Sequence, residues 1–145
     1  MNTKSKKNIV IKIGTTSIIK NNKVDSTLLN KLVDIVKDFS KQYNFVIVTS
    51  GAVGLGASKL KYKTRPKSLK KLQVASAVGQ IELVNQYEKI FNKSKMNIAQ
   101  VLITKNLIDD REQFVNTTQA LNELLSEGIV PVVNENDVVA TEELK

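Results

Sequence analysis

The sequence contains no cysteine and no histidine. The first absence excludes a disulfide framework, a thiolate metal site and a cysteine nucleophile, and the second removes the commonest general base and the commonest metal ligand. Chemistry is left to lysines, carboxylates, hydroxyls and backbone amides. Aromatic residues make up only 5% of the chain, and the sole arginines among its 22 basic residues are Arg65 and Arg111. A net charge of +8 would suit nucleic acid, but scattered lysines without stacking aromatics or planar guanidinium forks make that partner unlikely. No run of about 18 apolar residues occurs. The lysines near the start precede only a short apolar stretch that ends at Gly14, with no A-x-A-like site. A soluble, cytoplasmic protein without a membrane partner is expected.

What is present is 145 residues, 41% of them hydrophobic, enough for one globular domain with a core or for part of one. Four short apolar runs read as strands: Ile9 to Ile13, Phe45 to Thr49, Asn97 to Thr104 and Ile129 to Val133. The first is nearly all β-branched and stops at a glycine, as a strand buried on both faces of a parallel sheet does. Pro131 removes a ladder donor, so its missing amide is expected at an edge or a bulge. Between the strands lie helical patterns. One starts at an Asp25 or Ser26 cap and runs to about Tyr43, its apolar stripe being Leu28, Leu32, Ile35, Val36 and Phe39. A second opens after Ser50-Gly51-Ala52 and ends near Leu60, and a lysine-rich loop, Lys59 to Lys71, reads as solvated or as an anion-attracting rim. A long third helix carries Leu69, Leu72, Val74, Val78, Ile81, Val84 and Tyr87, with Ala75, Ser76, Ala77 and Gly79 suggesting close packing; a fourth ends by Glu127 with Gly128 as its left-handed cap.

Alternating strands and helices imply an α/β fold, a three-layer α/β/α sandwich with a mainly parallel sheet and right-handed crossovers. Ligands then bind beyond the carboxyl ends of the strands, here Gly14 to Ser17, Ser50 to Ala52, and Asn134 to Asp137. Lys12, inside an apolar strand, needs either an anionic partner or a route to solvent. Gly14, Thr15, Thr16 and Ser17 read equally as an anion-binding turn or an ordinary polar turn. The glycines of Ser50 to Gly56 either hold an anion at a helix start or admit a close helix crossing, and neither the Walker nor the dinucleotide string is present. Asn134, Glu135, Asn136 and Asp137 offer oxygens and amides for an amino acid, or simply end the strand.

Taken together, IKIGTTS, VIVTSGAVGLGASKL, LQVASAVGQ, AQVLIT with DRE, and PVVNENDVVAT resemble the successive signature segments of the glutamate 5-kinase family of amino-acid kinases, over Ile9 to Leu144. The resemblance implies an acetylglutamate-kinase-like fold and ATP-dependent phosphorylation of the L-glutamate γ-carboxylate, the first step of proline biosynthesis, with Mg²⁺. It carries over Lys12 as the lysine contacting the transferring phosphoryl group, and Gly14 and Thr15 as phosphate loop. Ser50, with Gly51 and Ala52 in its loop, and Asn134 and Asp137 correspond to glutamate-binding positions, Asp137 toward the α-ammonium. No metal ligand is implied. An ionised carboxylate needs no general base to attack phosphorus, so the lack of histidine is no obstacle.

In this family a G-D-N-D segment follows the match to Glu143, and the adenine and ribose segments, a second phosphoryl-contacting lysine and often an RNA-modification-type PUA domain come later. Residues 1–145 therefore correspond to the amino-terminal, glutamate-binding part of a truncated kinase domain, expected to be inactive alone and homo-oligomeric when full length. The competing readings are a non-catalytic amino-acid- or anion-binding module, and a nucleic-acid binder.

Overall fold

The computed structural model describes residues 6–139, so Glu143 and Leu144 lie outside the described residues. The chain runs β1 (Lys7–Lys12), α1 (Thr15–Ile18), β2 (Ile19–Lys20), β3 (Lys23–Val24), α2 (Ser26–Phe39), β4 (Tyr43–Val48), α3 (Ala52–Lys59), α4 (Leu69–Lys93), β5 (Ile98–Ile103), α5 (Arg111–Ser126) and β6 (Val130–Glu135). Single 3₁₀ turns follow β5 at Lys105–Ile108 and β6 at Asp137–Val139. Four parallel strands form the sheet in the order β1-β4-β6-β5. The four expected strands are these four.

Ile9, Ile11, Phe45, Ile47, Val130 and Val132 share one sheet face and pack against Leu29, Leu32, Val33 and Val36 of α2 and Leu83, Tyr87, Ile90 and Phe91 of α4. Strands that advance from β1 to β4 to β5 in one direction keep α2 and α4 on that face, and the right-handed return from β5 to β6 sends α5 to the other, where it packs on β6. The result is three layers, the second helical layer being α5.

Three expectations need correction. β1 is an edge strand rather than one buried on both faces: with Ile9 and Ile11 turned to the core, Val10 is left 64% exposed. The apolar stripe of α2 is Leu29, Leu32, Val33 and Val36, at i, i+3, i+4 and i+7, whereas Ile35 and Phe39 are exposed; the helix stops at Phe39, since Tyr43 already pairs with Lys7 in the sheet. Pro131 lies in an interior strand, buried between β4 and β5, not at an edge. Its neighbour Val130 donates to Asn97 on the β5 side, while Val133 accepts from Thr49 on the β4 side. Alternation therefore turns the nitrogen of Pro131 toward β4, whose ladder with β6 begins only at Ile47 and Val132, so no donor is missed.

Local signals set the remaining boundaries. The Asp25 carboxylate accepts from the amides of Thr27 at 3.0 Å and Leu28 at 3.2 Å and caps α2. Lys20 lies 2.5 Å from it across the β2–β3 hairpin, whose turn residues Asn21 and Asn22 have φ of 50° and 60°. Gly128, at φ 73°, ends α5 as expected. Among the described residues no helix is long and apolar enough to cross a membrane.

Candidate functional site

The carboxyl ends of β1, β4 and β6 are neighbours in the sheet, so the three segments singled out by the sequence do form one rim. The first two are tied directly. Thr15 Oγ1 donates to Ser50 Oγ at 3.1 Å, and Ser50 Oγ donates to the carbonyl of Ile13 at 3.3 Å. Gly14 precedes α1 in extended backbone, and Thr15, Thr16 and Ser17 are exposed above the strand ends.

After Ser50, Gly51 turns the chain at φ 105°, a left-handed conformation costly for other residues, and a β-carbon there would also meet Ile19 at 2.9 Å. The first helical bond of α3 runs from Leu55 to the Gly51 carbonyl, leaving the amides of Ala52, Val53 and Gly54 without a helical acceptor. Unpaired amides and the positive end of the helix dipole at the rim suit a carboxylate or phosphate oxygen. The glycine-rich stretch thus divides its work: Gly51 makes the turn, while Gly56 serves a helix crossing, since its β-carbon would lie 1.7 Å from the Ala75 carbonyl oxygen.

Lys12 ends β1 on the sheet face opposite α2 and α4, where it is exposed and makes no ion pair among the described residues. Water therefore supplies the solvation that a buried ammonium would lack, and the position leaves the cation free for a ligand.

The third segment is held by α4 rather than by the other two. Asn134 is buried and its Nδ2 donates to Gln80 Oε1 at 2.7 Å. Ser76 Oγ, also buried, donates to Asp137 Oδ2 at 2.7 Å. Asp137 lines an open cleft of about 370 Å³ between α4 and the end of β6, together with Ser76, Gln80, Ile81, Glu135 and Asn136. The sequence reading had not found Gln80, and had seen Ser76 only as a small packing residue. The available signal was their spacing: two polar residues at i and i+4, on the stripe that also holds Leu72, Ala75, Gly79 and Leu83.

Beneath the rim, Tyr87 of α4 donates to Thr49 Oγ1 at 2.9 Å, fastening the last turn of β4 to the helix. Burial pushes the Tyr87 phenol up to about 12, partly opposed by that hydrogen bond. The expected lysine-rich loop is shorter than Lys59 to Lys71, since Lys59 ends α3 and Leu69 to Lys71 open α4; from Tyr62 to Ser68 it is largely exposed, with the Lys71 ammonium 5.8 Å from the centre of the Tyr62 ring. No group of three or more carboxylates able to hold a metal ion occurs among the described residues.

The rim therefore juxtaposes amide and hydroxyl donors, a free lysine and a cleft-lining carboxylate, a set complementary to an amino acid and an anionic group. Glutamate 5-kinase of Prochlorococcus marinus strain MIT 9301 is 48% identical over 139 residues, covering 94% of this chain and 38% of that protein. Glutamate 5-kinase of Lactococcus lactis subsp. lactis strain IL1403 is 37% identical over 145 residues, 99% of this chain and 54% of that one. The chain thus spans roughly two fifths to one half of the length of these relatives. Among solved structures, UMP kinase from Ureaplasma parvum superposes with a TM-score of 0.57 at 18% identity, over 90% of this chain and 56% of that one. T. acidophilum isopentenyl phosphate kinase gives 0.53 at 12% identity, over 88% and 54%, so both likenesses speak for the fold alone. The amino acid kinase family matches residues 7–144 of the 145, and the chain belongs to that family.

Proposed function

We propose that this chain is the glutamate-binding side of a cytoplasmic kinase that transfers the γ-phosphoryl group of ATP to the γ-carboxylate of L-glutamate, giving γ-glutamyl phosphate for proline synthesis. The observation carrying this reading is the 48% identity to a glutamate 5-kinase along 94% of the chain, supported by the adjacency of the carboxyl ends of β1, β4 and β6. In this reading Asp137 anchors the α-ammonium, while Ser50 and the amides at the start of α3 hold carboxylate oxygens. The γ-carboxylate, ionised at neutral pH, is then aligned for attack on phosphorus. An oxygen–phosphorus bond forms as the bond to the ADP oxygen breaks, and no proton moves. Lys12, with Gly14 and Thr15 beside it, offsets charge on the transferring group. Mg²⁺ accompanies ATP in such transfers, and the described residues offer no cluster of three or more carboxylates for it.

The test is a chimaera joining residues 1–139 to the remaining part of the Lactococcus lactis relative. Glutamate-dependent ADP release, with a hydroxylamine-trappable acyl phosphate, is the expected result, and residues 1–145 alone should bind glutamate without turnover. A folded chimaera that binds ATP but releases no ADP in response to glutamate overturns the proposal.

A further inference from the structure

α4 passes the end of β6 and engages it at two points one helical turn apart. Gln80 accepts from Asn134 at the end of the strand, and Ser76 donates to Asp137 in the following 3₁₀ turn, both at 2.7 Å. Four residues of helix rise about 6 Å, so the two contacts lie on one side of α4. Ser76 and Asn134 are 3% and 6% exposed, so each bond has one buried member and one on the cleft wall.

The same stretch of α4 is fixed against α3. A β-carbon at Gly79 would lie 1.8 Å from the Ala52 carbonyl oxygen and 2.4 Å from the Gly56 nitrogen, so main chain meets main chain at the start of α3. A single helical turn, Ser76 to Gln80, therefore references the Asn134–Asp137 segment to the Gly51–Ala52 turn, although no hydrogen bond joins those two segments directly. The Ser76 hydroxyl occupies one carboxylate oxygen of Asp137, leaving Oδ1 without a protein donor among the described residues.

We infer that Ser76 and Gln80 are positioning residues that aim the free carboxylate oxygen of Asp137 at the ammonium group of the amino-acid ligand. The inference rests on the reading above that the rim holds glutamate. It goes beyond it in making ammonium recognition depend on two uncharged side chains of α4. Removing the Ser76 hydroxyl frees the carboxylate to rotate, and removing the Gln80 acceptor leaves the buried Asn134 amide unpaired and loosens the strand end.

Calorimetric titration of the 145-residue chain with L-glutamate, and with glutarate, which lacks the ammonium, separates the possibilities. Ser76→Ala and Gln80→Met should each weaken glutamate about tenfold while leaving glutarate within about twofold, and Ser76→Thr, which restores a hydroxyl, should recover most of the loss. Equal weakening of both ligands would mean a merely structural role and overturn the inference, as would unchanged glutamate affinity in either variant. Circular dichroism identifies any variant that fails to fold; should Ser76→Ala be one, the glutamate-to-glutarate affinity ratio of Gln80→Met decides, a ratio unchanged from the parent overturning the inference. Failure of the unaltered chain to bind glutamate would instead refute the glutamate reading and the inference together.

Discussion

Replacing Gly79 by alanine tests the packing on which the rim depends. The new methyl would sit 1.8 Å from the Ala52 carbonyl oxygen and 2.4 Å from the Gly56 nitrogen, where separations under 3.0 Å essentially never occur. The two helices would have to part by about 1.2 Å, and because every obstructing atom is main chain, no rotamer change relieves the clash. Overpacking costs about 1–3 kcal/mol where side chains can yield, so a loss of about 3 kcal/mol or more is expected here. Against a total stability of roughly 5–15 kcal/mol that is a large fraction. The chain has no tryptophan, so urea unfolding is best followed by far-UV circular dichroism, and with a slope of about 2 kcal/mol per molar the midpoint should fall by about 1.5 M. Gly54→Ala is the control. Its β-carbon would meet nothing within 4 Å, and replacing this first-turn glycine by alanine should stabilise by at most about 0.5–1 kcal/mol. A Gly79→Ala midpoint within about 0.3 M of the parent would refute the argument, for it would mean the crossing tolerates separation.

Tyr87 should titrate late: its folded value of about 12 exceeds the ordinary 10.0, so the folded state keeps its proton where the unfolded chain loses it. Stability is then intact below pH 10 and lost as pH rises toward 12, by at most about 2.7 kcal/mol for two pH units, and Tyr87→Phe should abolish that component in alkaline unfolding titrations. Asp25 behaves in the opposite sense, since the Lys20 hydrogen bond and the Thr27 and Leu28 amides hold its carboxyl below 3.8. Its contribution should be present above that pH and vanish as pH falls through the lowered value, and Asp25→Ala should lower the urea midpoint at pH 7 but not in strong acid. Lys12→Ala, made in a complete kinase carrying these residues, should reduce turnover about 10²-fold or more with little change in glutamate affinity; an unchanged turnover number in steady-state kinetics would remove Lys12 from the phosphoryl site.

The alternation of apolar runs and amphipathic segments was enough to read parallel strands, helices and a common rim, because burial of a sheet and the 3.6-residue period leave marks in composition. Strand order left no such mark. Nothing in Ile9 to Ile13 distinguishes an edge strand from a central one, and Val10 is apolar though its side is open. In α4 the large apolar residues were only a partial guide: Leu72 and Tyr87 are buried as expected, but two others are not. Val74 and Ile81 are 50% and 61% exposed, while Ala75, Ser76 and Gly79 are buried, because the closeness of two backbones selects small side chains whatever their hydropathy. Pro131 was similarly read through a rule about edges, when what matters is which way its nitrogen points and whether the partner strand has begun.

The same reasoning explains why Ser76 and Gln80 stayed hidden. Residues at strand ends are visible because topology sends ligands there, whereas the groups orienting them come from a helix more than 50 residues earlier in the chain, with a polarity that only the folded contacts reveal. Ser76 and Gln80 lie on the stripe that buries Ala75 and Gly79, so packing and polar positioning are supplied by one helical turn. Which of the two a substitution disturbs then depends on the position. Stability and ligand affinity should therefore fall together at Gly79, where the crossing itself is disturbed, and part company at Ser76, where a hydroxyl is lost but the backbone approach is kept.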